Sequence, residues 1–344
     1  MTHGRGHAIF VGRVARFADE MAHRGVDAAV QGAGRPLTVA VHGRRGVGRV
    51  AVARALASAG VVVGEEGDAD VHVVAEVVKP EDRVAIAASA SARPTLVVLN
   101  KVDLLGLRAG LRGGGPVVSA RPRCARYQAL TGMPTVPMAA HLAVARVDEP
   151  VVAALRTLAA VPVELGTIDA FASTAHRLAE ETRARLLNEL DLSGITIGLL
   201  ALRASPGADA ARVQRLLRRH SGVDGALAAL GPMFAEAGYR RVRATVDALR
   251  AAAATDREGI APRIEAFLRG DDTVLARMAA AVDVVEAAGM TVDPRDDAAS
   301  HLCRASVWQS YRSGPVNDLH RACGDDIVRG SMRLLAFASG LGGR

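Results

Sequence analysis

The chain has 344 residues, which suits two domains of ordinary size better than one. Half of the residues are hydrophobic and only 3% are aromatic, which excludes a disordered or fibrous protein and leaves a core of Ala, Val and Leu, better suited to packed helices and buried parallel strands than to an aromatic-rich β-sandwich. The net charge of +7 comes almost wholly from arginine, since Lys79 and Lys101 are the only lysines; it favours phosphates or acidic surfaces, but no nucleic-acid motif accompanies it and nucleic acid is not expected as a ligand.

Phe10, Val14, Phe17 and Met21 recur at helical steps, with Arg13, Arg16 and Glu20 between them, which predicts one amphipathic helix over roughly the first 30 residues. Gln31-Gly-Ala-Gly-Arg-Pro36 ends it. An α/β pattern follows: an apolar run Leu37–Val41, a helix near Val50–Ala59, a short strand at Val61–Val63, a β-branched run Val71–Val78, a helix over Pro80–Ala90, a strand over Pro94–Asn100 and a last strand at Thr135–Met138. Strands alternating with helices predict a mostly parallel sheet with helices on both faces.

From about Glu149 the pattern turns helical, over Ala170–Asn188, Ala208–Arg219, Tyr239–Ala254, Ile260–Leu268 and Asp272–Ala288. Asp191–Leu202 fits a buried helix or a strand equally well. The expected division is residues 1–35 as N-terminal helix and linker, 36–160 as the α/β domain and 161–344 as an all-α helical bundle. The three cysteines form no CxxC pair, no stretch of about 18 apolar residues occurs, and the start MTHGRGHAIFVGRVARF lacks a secretory pattern, so a cytoplasmic protein without a membrane span is expected.

The most informative stretch is LTVAVHGRRGVGRVAVARAL. After an apolar strand comes Gly43-Arg44-Arg45-Gly46-Val47-Gly48-Arg49-Val50, which has the spacing of the phosphate loop GxxxxGK[ST] with Arg49 in the lysine place and Val50 in the Ser/Thr place. The glycines let backbone N–H groups wrap a phosphate, and the next helix presents its positive end. Arginine keeps the charge but is longer and planar, and valine cannot ligate Mg²⁺.

The second informative stretch is the strand Pro94–Asn100 followed by Lys101-Val102-Asp103. An Asp at this strand end can accept two hydrogen bonds from N1–H and the 2-amino group of guanine. The Asn either faces the O6/N7 edge of the base or braces the phosphate loop, and the Lys stem lies along the ring.

Together these residues resemble the translation-factor-related class of P-loop GTPases, in the style of its Era-like branch, over about residues 37–160. The resemblance implies a P-loop G-domain-like fold, GTP or GDP as ligand, and a backbone contact to guanine O6 from Ala139 and Ala140; Val118-Ser119-Ala120 is a rival for that contact. By analogy with dynamin-like members, the N-terminal helix is expected to pack with the C-terminal helices. The departures lie at the metal end. No threonine stands between Thr38 and Thr95 to serve a first switch, and no Asp-x-x-Gly follows Asp68 or Asp70. Mg²⁺ binding is therefore not expected, no catalytic residue is assigned, and little or no GTP hydrolysis should remain. The implied role is a regulatory module acting by nucleotide occupancy, with a competent GTPase as its protein partner; a nucleotide-free scaffold and a working GTPase with unfamiliar metal ligands are the alternatives.

Other constellations carry less. His301, Cys303, His320 and Cys323 match no zinc spacing, and no metal ligand is assigned. Asp325-Asp326 reads as a solvated pair, Trp308 and Tyr311 as bundle packing, and the basic clusters Arg218–His220 and Tyr239–Arg243 as solvated helix faces.

Overall fold

The structure is a computed structural model that describes residues 5–21, 23–105, 115–173, 177–256 and 259–340. It divides into two compact units, Thr38–Leu230 and Met1–Leu37 with Gly231–Arg344. Among the described residues no helix is long and apolar enough to cross a membrane.

The first unit contains α3 (Arg49–Ser58), α4 (Pro80–Ala92), α5 (Pro116–Ser119), α6 (Arg121–Thr131) and α7 (Ala140–Val144), set between strands β1 (Thr38–His42), β2 (Val62–Gly64), β3 (Ala69–Ala75), β4 (Thr95–Asn100) and β5 (Thr135–Pro137). Among the described residues the sheet has five strands in the order β2-β1-β3-β4-β5, all parallel. Every residue of β4 and all but the last of β3 are buried, as β-branched strands covered on both faces must be. The order reverses at β1. In open α/β sheets the crevice outside the carboxyl ends of the strands at such a reversal is where ligands bind.

β2 is short. It pairs with β1 only from Thr38↔Val62 to Ala40↔Gly64 and so stops before His42, the last residue of β1. The chain then crosses the amino half of β1: Thr38 N donates to Asp68 Oδ2 at 2.8 Å and Asp68 N to Thr38 O at 2.8 Å. Gly67 is required there, because a Cβ would lie 2.3 Å from the backbone nitrogen of Ala40.

Three further helices complete this unit: α8 (Glu149–Ala159), α10 (Glu180–Ala204) and α11 (Ala210–Ser221), with the short α9 (Ile168–Ser173) before α10. Val152, Leu155 and Leu158 of α8 share one apolar cluster with Leu186, Leu190 and Leu199 of α10, Val213 and Leu217 of α11, and Val97 and Leu99 of the sheet. The boundary expected at residue 160 therefore falls at 230 instead: the first helices of the expected bundle bury their apolar faces on the α/β core. The ambiguous Asp191–Leu202 is helical, within α10. Gly194 and Gly198 let it approach Leu142 and Leu155, where a Cβ would come within 3.2 Å and 2.8 Å of those side chains. Asp191 itself departs from helical geometry, with φ 55° and ψ 176°.

The second unit holds α1 (Arg5–Met21), α2 (Arg24–Gly34), α13 (Ala261–Arg269), α14 (Asp271–Ala287), α15 (Ala298–Ser313), α16 (Asp318–Ala338) and most of α12 (Val223–Ala254). The single N-terminal helix expected from periodicity is two, because the amides of Val26 and Asp27 both turn to His23 O and start a new helix. α1 packs on α14. Gly6 makes this approach possible, since a Cβ there would lie 2.1 Å from Ala280 N, and Phe17 stacks on Phe267 with ring centroids 4.2 Å apart. Asp326 is not solvated: it is 3% exposed and accepts from Tyr239 Oη at 2.8 Å and Arg277 Nη2 at 2.6 Å. Tyr239, counted above in a solvated face, is wholly buried. Trp308 packs edge-on against Tyr311.

Candidate functional site

The carboxyl end of β1 runs into the glycine loop. Gly43, Gly46 and Gly48 have φ of 146°, 90° and 88°, a region that side-chain-bearing residues rarely enter. Two of them also need the missing Cβ for space. At Gly43 it would lie 2.7 Å from Val73 O, and at Gly48 2.3 Å from Asn100 Nδ2. Val47 is buried and anchors the loop, while Arg45, Gly46, Arg49 and Val50 are exposed. Gly48 is the N-cap of α3 and offers no side-chain cap, so the helix start presents bare amides and its positive dipole end to solvent. Arg44 turns away from the loop, with Nε 2.7 Å from Asp82 Oδ1.

Asn100 ends β4 and is 3% exposed. Its Nδ2 donates to Val47 O at 3.0 Å, and its Oδ1 accepts from Ala140 N at 3.1 Å. One side chain thus ties the phosphate-type loop after β1 to the turn after β5. Of the two roles open to it from sequence, it takes the brace. Lys101 follows in the left-handed region (φ 61°), its stem beside Gly48. Ala139 N donates to Ser221 O at 2.8 Å, so of the Ala139–Ala140 pair only Ala140 reaches the Asn100 brace. The rival segment Val118–Ala120 lies in and just after α5, where the Ser119 and Ala120 amides bond Gly115 O and Pro116 O.

Asp103 sits in a 3₁₀ turn, Val102–Leu105, and is 5% exposed. Burial pushes its carboxyl above the usual range, against the pull of His141. Its Oδ1 is buried and, among the described residues, has no hydrogen-bond partner. His141 Nδ1 lies 3.9 Å away, and Asp191 closes the group from α10. The sequence reading missed His141 and Asp191. His141 adjoins the Ala139-Ala140 pair, but no spacing signal connects either residue to Asp103.

At the metal end, Val50 is 59% exposed and its side chain offers no ligand. Asp68 is spent on Thr38 N, and Asp70 pairs with His42 at 3.2 Å, opposite Ala40 in the amino half of the sheet. The second-unit His and Cys residues are engaged separately: His301 bonds Arg304 at 2.6 Å, His320 bonds Tyr311 at 2.7 Å, Cys323 is buried and Cys303 exposed.

His42 and His72, opposite one another on β1 and β3, stack with centroids 5.1 Å apart, and His72 Nε2 lies 2.9 Å from Ser89 Oγ. Burial, and next the charge of His42, lower the His72 pKa, with Asp70 and Asp82 acting the other way. A histidine held neutral in the fold binds its proton more readily once unfolded. Its contribution to stability is therefore complete above the unfolded pKa of about 6.5 and is lost as pH falls from there through the lower folded pKa. Denaturant midpoints at pH 7.5 and 5.5 should show this loss, and His72→Gln should reduce it. The residual slope belongs partly to His220, whose pKa burial also lowers.

The unit Thr38–Leu230 is thus a parallel, doubly wound α/β unit with a glycine loop at its topological switch point. Comparison with protein-family models, with curated proteins and with solved structures gives no match to the chain.

Proposed function

We propose that the unit Thr38–Leu230 is a guanine-nucleotide-binding module of the P-loop GTPase type that works by occupancy and not by hydrolysis. The observation that carries the reading is the Asn100 brace, which ties the glycine loop at Val47 and the turn at Ala140 to the strand end that leads into Lys101 and Asp103. The amides of Gly43–Val50 and the exposed Arg45 and Arg49 receive the phosphates, the Lys101 stem lies on the base, and Asp103 selects guanine. Hydrolysis is not part of the role we propose: Val50 stands where the metal-binding hydroxyl would, which takes away one electrostatic contributor to phosphoryl transfer. A protein with this site regulates through a partner, and a competent GTPase is the partner we infer.

A second reading, a nucleotide-free scaffold, is favoured by one observation. Asp103 is only 5% exposed, with His141 and Asp191 close to its carboxylate, which leaves little of it open to a base.

Thermal unfolding with GDP, GTP and ATP separates the two. The nucleotide reading expects a guanine-specific rise of about 5–10 °C at a hundredfold excess over Kd, unchanged without Mg²⁺. No shift with any nucleotide supports the scaffold, and a rise that requires Mg²⁺, with phosphate release, supports a working GTPase. Asp103→Asn should cut the preference for GDP over ADP by about tenfold to a hundredfold.

A further inference from the structure

We propose that Asp103, His141 and Asp191 form a binding site for a divalent transition-metal ion of the Zn²⁺ class. The three residues offer two carboxylates and an imidazole, whose donor atoms all lie within 4.8 Å of one another. That mixed O/N set suits Zn²⁺. A tetrahedral ion with bonds of about 2.0–2.2 Å holds its ligands roughly 3.3–3.6 Å apart, so the 3.9 Å gap between Asp103 Oδ1 and His141 Nδ1 needs only a small closure.

Three further observations point into the site. Asp103 is nineteen-twentieths buried, yet its Oδ1 has no hydrogen-bond partner among the described residues. A buried carboxylate oxygen left in this state needs a cation or a donor. His141 is oriented as a ligand: its Nε2 lies 2.9 Å from Oγ of the buried Ser193, which leaves Nδ1 to face Asp103, the outer-shell arrangement that metal-bound histidines use. Asp191 is held at a left-handed break within α10, where its Oδ1 accepts from Leu192 N at 2.6 Å and its other oxygen remains for the ion.

This site does not depend on the nucleotide reading, but it shares Asp103 with it. Metal and guanine would therefore exclude one another.

The test uses the full chain stripped with EDTA and titrated with Zn²⁺ against a chromophoric chelator. The wild type should bind one equivalent that His141→Ala and Asp191→Asn each weaken by at least about a hundredfold, more than the tenfold to hundredfold of an outer-shell change such as Ser193→Ala. A Cys303→Ser control should leave this equivalent intact. Co²⁺ substitution should give d–d absorption in the wild type and lose it in Asp191→Asn, a near-isosteric change; circular dichroism in EDTA checks that each variant folds. Wild-type binding no tighter than that of both variants would overturn the proposal. Nucleotide shifts measured in EDTA keep the two readings apart, since His141→Ala removes the metal ligand and leaves Asp103 for the base.

Discussion

Replacing Asn100 with Ala should destabilise the unit Thr38–Leu230 by about 2–5 kcal/mol and loosen the glycine loop at the same time. Asn100 is buried and makes two hydrogen bonds, one to Val47 O and one from Ala140 N. Truncation leaves that carbonyl and that amide buried without partners, at about 1–3 kcal/mol each. Asn100→Asp should not rescue the fold: the carboxylate still accepts from Ala140 N but sets an acceptor, with a charge, against the Val47 carbonyl. Urea unfolding reads the loss of stability. Amide exchange over Gly43–Val50 reads the loop, which should exchange faster in the variant even under conditions where the unit stays folded. Wild-type stability and exchange in Asn100→Ala would mean that the loop is held by something other than this side chain.

The second large effect belongs to the helical unit. Asp326 of α16, Arg277 of α14 and Tyr239 of α12 meet in its interior, with Asp326 3% exposed and the Arg277 side chain 12% exposed. Arg329 adds a contact to the same carboxylate at 3.3 Å. Asp326→Ala removes the carboxylate that pairs with Arg277 and leaves its guanidinium, whose Nε has no hydrogen-bond partner among the described residues, as a poorly compensated buried charge. The expected cost is about 3–5 kcal/mol. Arg277→Met in the Asp326→Ala background should recover much of it, because replacing both members of a buried pair costs far less than removing one. Chemical unfolding of the two single variants and the double variant measures this directly. A double variant as unstable as the sum of the singles would place the stabilisation in packing and not in the charge pair. Tyr239 supplies a spectroscopic check, since burial and then Asp326 raise its phenol pKa, and the Asp326 part disappears in the variant.

These examples show what kind of information a sequence carries. The strands were legible because β-branched runs were bounded by Gly and Pro, and the loop was legible because three glycines fall at fixed offsets after a strand. The Asn100 brace was half legible: the residue type offered two roles, and only the positions of Val47 and Ala140 decide between them. The unit boundary was not legible. α10 and α11 are amphipathic helices, and amphipathicity says that one face is buried without saying against what; here it is the sheet side, through Leu186, Leu199 and Leu217. Asp326 was misread for a related reason, since its partners stand on two other helices. Asp191 was beyond reach: its side chain reaches Asp103 through a left-handed backbone break that nothing in Glu189–Gly194 announces.

Equilibrium dialysis of the EDTA-stripped protein against labelled GDP, with ADP in parallel, tests the central claim most directly. The account expects close to one GDP retained per chain, ADP rejected, and both results unaffected by added Mg²⁺. Failure to retain GDP, or retention of ADP to the same extent, would contradict it.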